Sequence, residues 1–528
     1  MNAFIDVAKL DATADVQTDV VIVGAGAAGI TLARSLARAR FNVALLESGG
    51  LELESATQSL FQGEVRGIKY YDLAACRLRY FGGTTNHWAG FCRPYTHDAF
   101  AGRPDLGVPA WPINEHDLNP YIKRAASDLG LDDKGFDLQE QARRLGVNPN
   151  DLPDAHTGEL VSQVYQLTRR VRQGKYWKDA LLAQQNLKIY LHANVTHINL
   201  SSDGLRVQSL SVRAVGKPEF KLRARVYVLA THGIESARLL LDSNDVHKNG
   251  IGNQFDHVGR YFMEHPKMIS GRLIPSKRFL SIYNGGNAHQ VMRNINIGLS
   301  KEVMLREGVL DYYCRFLPVP AHQKAQDAAQ QLRDSFWKPA DAKALRALGK
   351  LVGDVPGTFD YLAARWHSRL DEASDSVELE LDHRIEQAPN PDSRVTLSEE
   401  KDALGCRKAI LNWHFNDLDY KTYAIGQRIL VSELTRLGWG QFVAPPLAPE
   451  GIRSLVLGNR HHIGTARMSA SPRDGVVNTD LRVHGVENLY VTGSAIFTNG
   501  GHAVPTMIIM AFAMRLAEHL TAMKGASA

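Results

Sequence analysis

Three glycines near the amino terminus have the spacing of a phosphate-binding turn. Gly24, Gly26 and Gly29 lie in GAGAAG, between the β-branched run DVVIV and a segment with helical periodicity. The first glycine permits a tight turn, the second lets the backbone approach a pyrophosphate, and the third lets helix and strand pack closely. The next apolar strand, 42–46, ends at Glu47, where an acid can hydrogen-bond a ribose diol. The pattern predicts a dinucleotide site and does not separate FAD from NAD.

A second glycine-rich stretch, YFGGTTNHWAG at 80–90, places a histidine in the middle of a turn. Glycines at 82 and 83 allow another molecule to come close to the backbone. The polar residues that follow them supply hydrogen-bond donors, and Trp88 supplies an apolar surface. This stretch favours a ligand-contacting loop, and it raises the question of what His87 touches.

The elements that position these turns are distributed along the chain. Segments 186–200 and 207–214 alternate as strands do, and 224–243 runs from a buried strand through Thr-His-Gly into a helix. The apolar segment MIIMAFAM at 507–514 is typical of a buried helix. A domain that collects strands from distant parts of the chain favours a large flavin-binding fold over a compact NAD module.

Composition narrows the class of protein. At 528 residues the chain predicts two or more domains. A net charge of +5 without long single-sign runs argues against nucleic-acid binding. The four cysteines have no metal-like spacing and are expected to be reduced thiols. The N-terminus lacks the pattern of a secretory signal and no apolar run reaches about 18 residues, so we expect no transmembrane segment and a cytoplasmic location.

Several motifs in matching order resemble the glucose–methanol–choline (GMC) oxidoreductase family, from about residue 18 to 522. Besides the two glycine-rich stretches they are VGRYFMEHP (258–266), EQAPNPDSRVTLS (386–398) and the long block HHIGTARMSASPRDGVVNTDLRVHGVENLYVTGSAIFTNGGHAVPT (461–506). The resemblance implies an α/β fold, with a Rossmann-like FAD-binding domain and a substrate domain whose mostly antiparallel sheet is backed by helices. Segments 383–398 and 408–415 are expected to be strands of that sheet.

The resemblance also implies domain boundaries. We assign 1–100, 186–265 and 450–528 to the FAD-binding domain, and 101–185 and 266–449 to the substrate domain. Around 321–372, charges alternate with Leu, Ala and Phe. This pattern favours an amphipathic surface helix, with a lid, an oligomer contact or a docking surface as alternatives.

FAD is the cofactor that the resemblance implies, and no metal site is expected. The implied cofactor-binding residues are Gly24, Gly26, Ala27, Gly29, Glu47, Ser48, Gly82, Gly83, Thr84, Thr85, Asn86, His87, Trp88, Val195, Ala230, Gly493, Ser494, Pro505 and Thr506. His87 aligns with a histidine that some sugar and choline oxidases join covalently to the flavin. A noncovalent contact with the flavin is the alternative role for His87.

Catalytic roles also follow from the resemblance. A histidine three residues before Gly-Thr is the family's base for the substrate hydroxyl, and HHIGT places His461 there, with His462 in a supporting role. An imidazole can accept that proton near neutral pH. The family's chemistry is the oxidation of an alcohol or sugar hydroxyl to a carbonyl, by hydride transfer to the flavin N5.

One position departs from the family pattern. The second catalytic residue, usually His or Asn, stands just before Pro-Thr, where this chain has Val504. Valine neither donates nor accepts a hydrogen bond through its side chain. His502, two residues earlier, is a candidate for the missing role, with a flavin-edge or surface position as the alternative. Pro505 suits the first turn of a helix whose positive end would face the flavin.

Three functions are therefore considered. The favoured one is an FAD-dependent oxidoreductase acting on a small-molecule alcohol, polyol or sugar. Its electron acceptor would be O2, a quinone or a redox protein, and an oligomer is compatible with the sequence. Val504 gives weight to a second function, a non-redox flavin-containing lyase. A noncatalytic flavin-binding scaffold is the third, and the retained HHIGT motif argues against it.

Overall fold

The computed structural model describes residues 4–10, 15–283, 293–319 and 378–526. The helical segment expected around 321–372 falls in the gap between 319 and 378 and therefore lies outside the described residues. The four cysteines are all buried and free, as the sequence predicts.

The strands are β1 (Phe4–Asp6), β2 (Val16–Val23), β3 (Val43–Leu46), β4 (Gly63–Gly67), β5 (Phe91–Cys92), β6 (Leu160–Leu167), β7 (Leu187–Leu191), β8 (Asn194–Leu200), β9 (Val207–Arg213), β10 (Phe220–Leu229), β11 (Lys267–Pro275), β12 (Arg293–Leu299), β13 (Tyr312–Pro318), β14 (Leu379–Ile385), β15 (Arg394–Lys401), β16 (Arg407–Trp413), β17 (Gly440–Val443) and β18 (Leu489–Val491). The helices are α1 (Ala27–Arg38), α2 (Ser55–Gln58), α3 (His97–Ala101), α4 (Glu115–Asp128), α5 (Leu138–Arg144), α6 (Gln173–Leu182), α7 (Gly233–Asp242), α8 (Lys301–Glu307), α9 (Asp417–Arg436), α10 (Pro449–Leu455) and α11 (Thr506–Ala526).

The first layer is an eight-stranded sheet in the order β1-β7-β3-β2-β10-β9-β8, with β18 also paired to β10. Its central pairs are parallel, which explains why β2 and β3 read as continuous apolar runs: both faces of such a sheet are covered. All eight strands lie within the ranges assigned to the FAD-binding domain, although the exact domain boundaries stay a prediction. The α/β fold class is confirmed.

The second layer is a seven-stranded sheet in the order β17-β11-β14-β13-β12-β6-β5. Every pair in it is antiparallel, as expected for the substrate domain. Strands β11, β13 and β14 lie side by side in its middle, and their register decides which side chains meet at the site described below.

One strand assignment was wrong. Only the start of 383–398 belongs to the seven-stranded sheet, as the end of β14. Strand β15 instead pairs with β16, and β16 pairs with β4, forming a separate three-stranded sheet. The sequence could not separate the sheets because β-periodicity states which residues share a face and says nothing of the neighbouring strand.

Helix α11 packs against α1 and α4 and begins one residue after Pro505. Its stretch Thr506–Gly525 is the one helical segment in the described ranges that is long and apolar enough to cross a membrane, and 56% of it is buried inside the protein. A core helix has the same properties, as the pattern at 507–514 predicts.

Candidate active site

A cavity of about 430 Å³ is lined by residues from both large sheets and from the loops that follow their strands. This volume is in the range of small-molecule sites. At one end lie the turn after β2 and the end of β3, and at the other lie β13, β14 and the loop before β18. The predicted residues that line it are Gly24, Gly26, Ala27, Glu47, Ser48, Gly83, Thr84, Thr85, His87, Trp88, Val195, Ala230, His461, His462, Gly493, Ser494, Pro505 and Thr506.

The three glycines of the first turn do different work. Gly24 takes a positive φ of 101°, which favours glycine. A Cβ on Gly29 would lie 1.8 Å from the Gly24 carbonyl oxygen, so this glycine lets α1 pack on β2. A Cβ on Gly26, at the start of α1, would meet no protein atom within 4 Å. Gly26 therefore faces open cavity at a helix N-terminus, where a diphosphate fits.

Glu47 closes this end of the cavity and is only 5% exposed. Its carboxylate accepts hydrogen bonds from the backbone N–H groups of Ala25 and Gly49, both at 3.1 Å. Burial raises its pKa, while these N–H donors act in the opposite direction. A carboxylate oxygen has further lone pairs, so Glu47 can also accept from a ribose hydroxyl.

The second glycine-rich stretch packs directly on the first. The N–H of Gly82 donates to the Ala25 carbonyl at 3.0 Å, and a Cβ on Gly83 would lie 3.2 Å from the Gly26 Cα. Both residues have positive φ. His87 follows the short 3₁₀ turn at 83–86, and its exposed side chain lines the cavity. The loop thus brings its polar residues to the same space as the α1 N-terminus.

His461 is held by a second histidine that sequence reasoning did not assign. Its Nδ1 lies 2.9 Å from Nδ1 of His265. The Nε2 of His265 faces two carbonyl oxygens, those of Gly500 at 3.0 Å and Gly501 at 2.8 Å, so it must carry a proton. In neutral His265 the Nδ1 is then an acceptor, and His461 must donate to it from Nδ1–H. This leaves Nε2 of His461 unprotonated, as a base requires.

The loop that carries His461 is fixed by a buried carboxylate. Glu264 is fully buried and accepts hydrogen bonds from the backbone N–H groups of His461 and Asn459, at 3.0–3.1 Å, and from the hydroxyl of Tyr70. Arg460, just before His461, takes the left-handed conformation at φ 65°, which is uncommon outside glycine. Hydrogen bonds to Glu264 help to hold this strained turn, a kind of strain that clusters at functional sites.

The electrostatic surroundings keep His461 neutral. Burial is the main cause that holds the pKa of His461 well below its ordinary value of 6.5, and the charges of His265, Arg384 and Lys267 lower it further. Burial likewise lowers the pKa of His265 to about 4. Both imidazoles are therefore free bases at neutral pH.

Two histidines of the cavity lining each have a buried nitrogen atom without a hydrogen-bond partner in the described residues. His232, the N-cap of α7, and His462 both line the cavity, and their ring centroids lie 5.5 Å apart. The Nε2 atom of each ring lacks a hydrogen-bond partner within the described part of the chain. Buried nitrogen atoms are normally hydrogen-bonded, so these two fit a cofactor or substrate that supplies the missing partner.

His502 does not line the cavity. It is 6% exposed, and its ring lies between the Asp311 carboxylate, which contacts Nδ1, and the Arg93 guanidinium, whose Nε donates to Nε2 at 2.8 Å. The structure therefore does not bring His502 into the position left by Val504. Val504 itself lines the cavity next to the start of α11.

Three other residues that were predicted to bind the cofactor do not line the cavity and instead pack behind the residues that do. Gly29 packs α1 on β2, Gly82 forms the turn, and the Asn86 amide donates to the Phe81 carbonyl at 3.0 Å. Conversely, His265, Glu264, Arg315 and Arg384 belong to the site and were not assigned from the sequence. The segment VGRYFMEHP, which ends in Glu264, His265 and Pro266, was the one signal that could have indicated the first two.

Two family models match the chain. One, described as GMC oxidoreductase, matches residues 389–513, and the other, described as FAD dependent oxidoreductase, matches residues 19–251. The fructose dehydrogenase large subunit of Gluconobacter japonicus is 24% identical to this chain, over 95% of this chain and 97% of its own length. The 2-methyl-1,2-propanediol dehydrogenase of Mycolicibacterium austroafricanum is also 24% identical, over 96% and 95%.

Solved structures share the fold over nearly the whole chain. The pyridoxine 4-oxidase of Mesorbium loti superposes with a TM-score of 0.57 at 18% sequence identity, covering 95% of this chain and 99% of its own. A formate oxidase superposes with a TM-score of 0.57 at 16% identity, covering 97% and 99%. At these identities the likeness concerns the fold alone.

Proposed function

We propose that this chain, which matches the GMC oxidoreductase and FAD dependent oxidoreductase family models, oxidises the hydroxyl group of a small-molecule alcohol to a carbonyl, with His461 as the base. FAD dependence and action on alcohol-type substrates are properties of this family. The single observation that supports His461 as the base is its hydrogen bond with His265, which leaves the Nε2 atom of His461 with a free lone pair in the cavity wall.

The residues present fit FAD. Gly26 at the N-terminus of α1 leaves open space for the diphosphate, and Glu47 can accept from the ribose. The unpartnered nitrogens of His232 and His462 would gain a polar neighbour. When bound, FAD supplies the hydride acceptor for the oxidation.

The role of His461 follows from its tautomer. Nε2 accepts the hydroxyl proton of the alcohol, so that positive charge does not build on the carbon that loses a hydride. The resulting imidazolium is stabilised by donation from Nδ1–H to His265. His265 does not need to move a proton itself, because its Nε2–H stays bonded to the carbonyls of Gly500 and Gly501. It is a positioning residue.

Val504 does not by itself favour a lyase. A valine at this position removes one hydrogen-bonding group from the wall, yet His461 lines the cavity and His265 contacts it, which supports the oxidation. We propose that the substrate hydroxyl hydrogen-bonds to His461, with His462 beside it. His502 does not contact the substrate and instead holds its neighbours Asp311 and Arg93.

Anaerobic mixing of the FAD-loaded protein with candidate alcohols tests the function. We expect at least one alcohol to bleach the oxidised-flavin absorbance, and the same reaction with oxygen, a quinone dye or neither then identifies the class of acceptor. Turnover of a substrate while the flavin stays oxidised throughout would instead establish the lyase alternative.

The pH profile provides a first quantitative prediction. Because burial holds the pKa of His461 well below 6.5, lowering the pH from about 7.5 to 6.5 should leave kcat/KM nearly constant. Activity is lost only as the pH falls through the low pKa and the base becomes protonated. Steady-state kinetics across this range measure it, and an acid limb centred at or above pH 6.5 would contradict a buried, neutral His461.

A pair of substitutions at His265 tests the tautomer argument. His265→Phe removes the acceptor for Nδ1–H of His461, and we expect kcat/KM to fall about 10- to 100-fold, as when a catalytic histidine loses its orienting partner. His265→Gln can still present an amide oxygen, so it should retain more activity. Equal losses in both variants, with unchanged pH profiles, would indicate that His265 only fills space.

Acid precipitation tests the bond at His87. The exposed side chain of His87 lines the cavity, which supports contact with the flavin. If the precipitated protein stays yellow and His87→Ala releases the colour, the link is covalent. Colour released from the unchanged protein leaves His87 as a noncovalent contact.

A further inference from the structure

The wall opposite the nucleotide-binding turn carries a cluster of cations. In the register of the seven-stranded sheet, Arg384 of β14 stands beside Lys267 of β11 and Tyr313 of β13, and Arg315 of β13 stands beside Asp382 of β14. Residues two apart on a strand share a face, so these side chains lie on one face of the sheet. Arg315 and Arg384 both line the cavity that contains His461.

The cluster has one buried carboxylate and more than one cation. Asp382 is 2% exposed and accepts from Nε and Nη2 of Arg384, at 3.2 and 2.8 Å. Its distance to Nη1 of Arg315 is 3.7 Å, which is too long for a hydrogen bond. Asp382 is therefore hydrogen-bonded to Arg384, and its contact with Arg315 is a longer ion pair without a hydrogen bond.

Arg315 is held in place without its hydrogen bonds being used. Its side chain is 17% exposed, and its guanidinium lies 5.1 Å from the ring centre of Phe91, another cavity residue. The Nε atom is buried and has no hydrogen-bond partner among the described residues. Burial lowers the pKa of Arg315, and the charge of Arg384 adds to this effect. A buried guanidinium with unused donors indicates a missing acceptor.

The remaining charges of the cavity wall leave this end positive. In the described ranges, the acidic residues that line the cavity are Glu47 and Glu235. Glu47 lies at the nucleotide end, and Glu235 is paired with Arg238 at 2.5–2.7 Å. Arg460, next to His461, adds a further cation to the lining. The end that holds the candidate base therefore has an excess of positive charge, because Arg315 and Arg384 share one carboxylate and Arg460 adds a third cation.

We propose that the substrate is an alcohol that carries an oxyanion, a carboxylate or a phosphate, and that Arg315 binds this group while the hydroxyl reaches His461. This inference rests on the proposed function and names its substrate class. A planar guanidinium matches an oxyanion with two parallel hydrogen bonds. The oxyanion is bound and not transformed, so the oxidation remains that of the hydroxyl carbon. A neutral polyol would leave the Arg315 donors buried and unpaired, which is costly.

Matched alcohols test the charge preference in the FAD-loaded protein at constant ionic strength. Anaerobic flavin bleaching is measured with gluconate, glucose 6-phosphate and neutral sorbitol, and with lactate and its neutral ethyl ester. We expect the anionic member of at least one pair to have kcat/KM about tenfold or more above its neutral partner. Gluconate and glucose 6-phosphate distinguish a carboxylate from a phosphate. Neutral members that react equally well or better overturn the proposal.

Substitutions at Arg315 assign the preference to this residue. Arg315→Gln should raise KM for the anionic substrate about 10- to 100-fold with kcat changed little, and leave the neutral member unaffected. Arg315→Lys keeps the positive charge but loses the planar guanidinium, so its KM for the anionic substrate should lie between those of the unchanged protein and Arg315→Gln. The matched control is Arg272→Gln on β11 of the same sheet, an arginine 54% exposed and paired with Glu378, which should change neither constant. An unchanged KM in Arg315→Gln overturns the assignment.

A binding measurement separates failure of this inference from failure of the proposed function. Acetate and inorganic phosphate are titrated calorimetrically into the FAD-loaded protein and into Arg315→Gln. Binding that Arg315→Gln abolishes supports the oxyanion site even if no alcohol reduces the flavin, in which case only the oxidation is wrong. Reduction of the flavin by neutral alcohols, with no anion bound, overturns the oxyanion site alone and leaves the oxidation standing.

Discussion

Replacing His461 with alanine is expected to lower kcat/KM about a thousandfold, the middle of the range for losing a general base. The cofactor should stay bound, because the predicted phosphate and ribose contacts are at the other end of the cavity, at Gly26 and Glu47. The proposed oxyanion contact at Arg315 is unchanged in this variant, so the loss should fall mainly on kcat. Steady-state kinetics together with the flavin absorbance of the purified variant measure both effects.

His197→Gln is the matched control for this experiment. His197 lies on β8, partly exposed, and its Nε2 pairs with Asp245 at 3.0 Å, away from the cavity lining. It should keep the activity of the unchanged protein. A general base contributes about a hundredfold or more to the rate. If His461→Ala retained more than about a tenth of the activity, the base would have to be another residue, and His462 would be the next to replace.

Replacing Gly29 with alanine is expected to destabilise the FAD-binding domain by on the order of 3 kcal/mol, as for a severe overpacking change. The new Cβ would lie 1.8 Å from the backbone oxygen of Gly24, so α1 or the turn must shift. The side of Gly24 that faces Ala230 is also closed, because a Cβ there would lie 2.8 Å from the Ala230 carbonyl oxygen, so the turn has little room to shift. Thermal unfolding and the yield of flavin-loaded protein measure the result.

Gly26→Ala is the complementary variant. Its Cβ would meet no protein atom within 4 Å, and its φ of −85° suits any residue, so the apoprotein should unfold at nearly the same temperature. The methyl group would instead stand where the diphosphate approaches, and we expect the Kd for FAD to rise about tenfold, which corresponds to ~1.4 kcal/mol. An unchanged Kd would show that the cofactor does not approach the backbone at this glycine.

These glycines show which part of the site can be predicted from local sequence alone. The turn, the helix and the strand that follow one another from β2 to β3 are consecutive in the chain, so spacing alone predicted their geometry and the positions of Gly24, Gly29 and Glu47. The same holds for β2, β3 and α11, whose apolar patterns predicted buried elements. Cofactor and family followed because these motifs occur in a fixed order.

The catalytic half of the site behaves differently. His502 stands close in sequence to the helix that faces the cavity, and the sequence therefore made it a candidate. The structure instead turns its ring toward Asp311 of the substrate domain. A two-residue offset in a loop is enough to direct a side chain to another wall, and no local pattern states which partner lies there.

The sequence by itself predicted a flavin-dependent oxidoreductase that resembles the GMC family, with His461 as the candidate base, because each signal is carried by neighbouring residues. Only the tertiary structure decided which nitrogen of His461 is free and what charge faces it. Those properties come from His265, which lies just before β11 and contacts His461, and from Arg315 on β13 and Arg384 on β14, which line the cavity. Their meeting depends on strand register, and register is set by the packing of whole sheets.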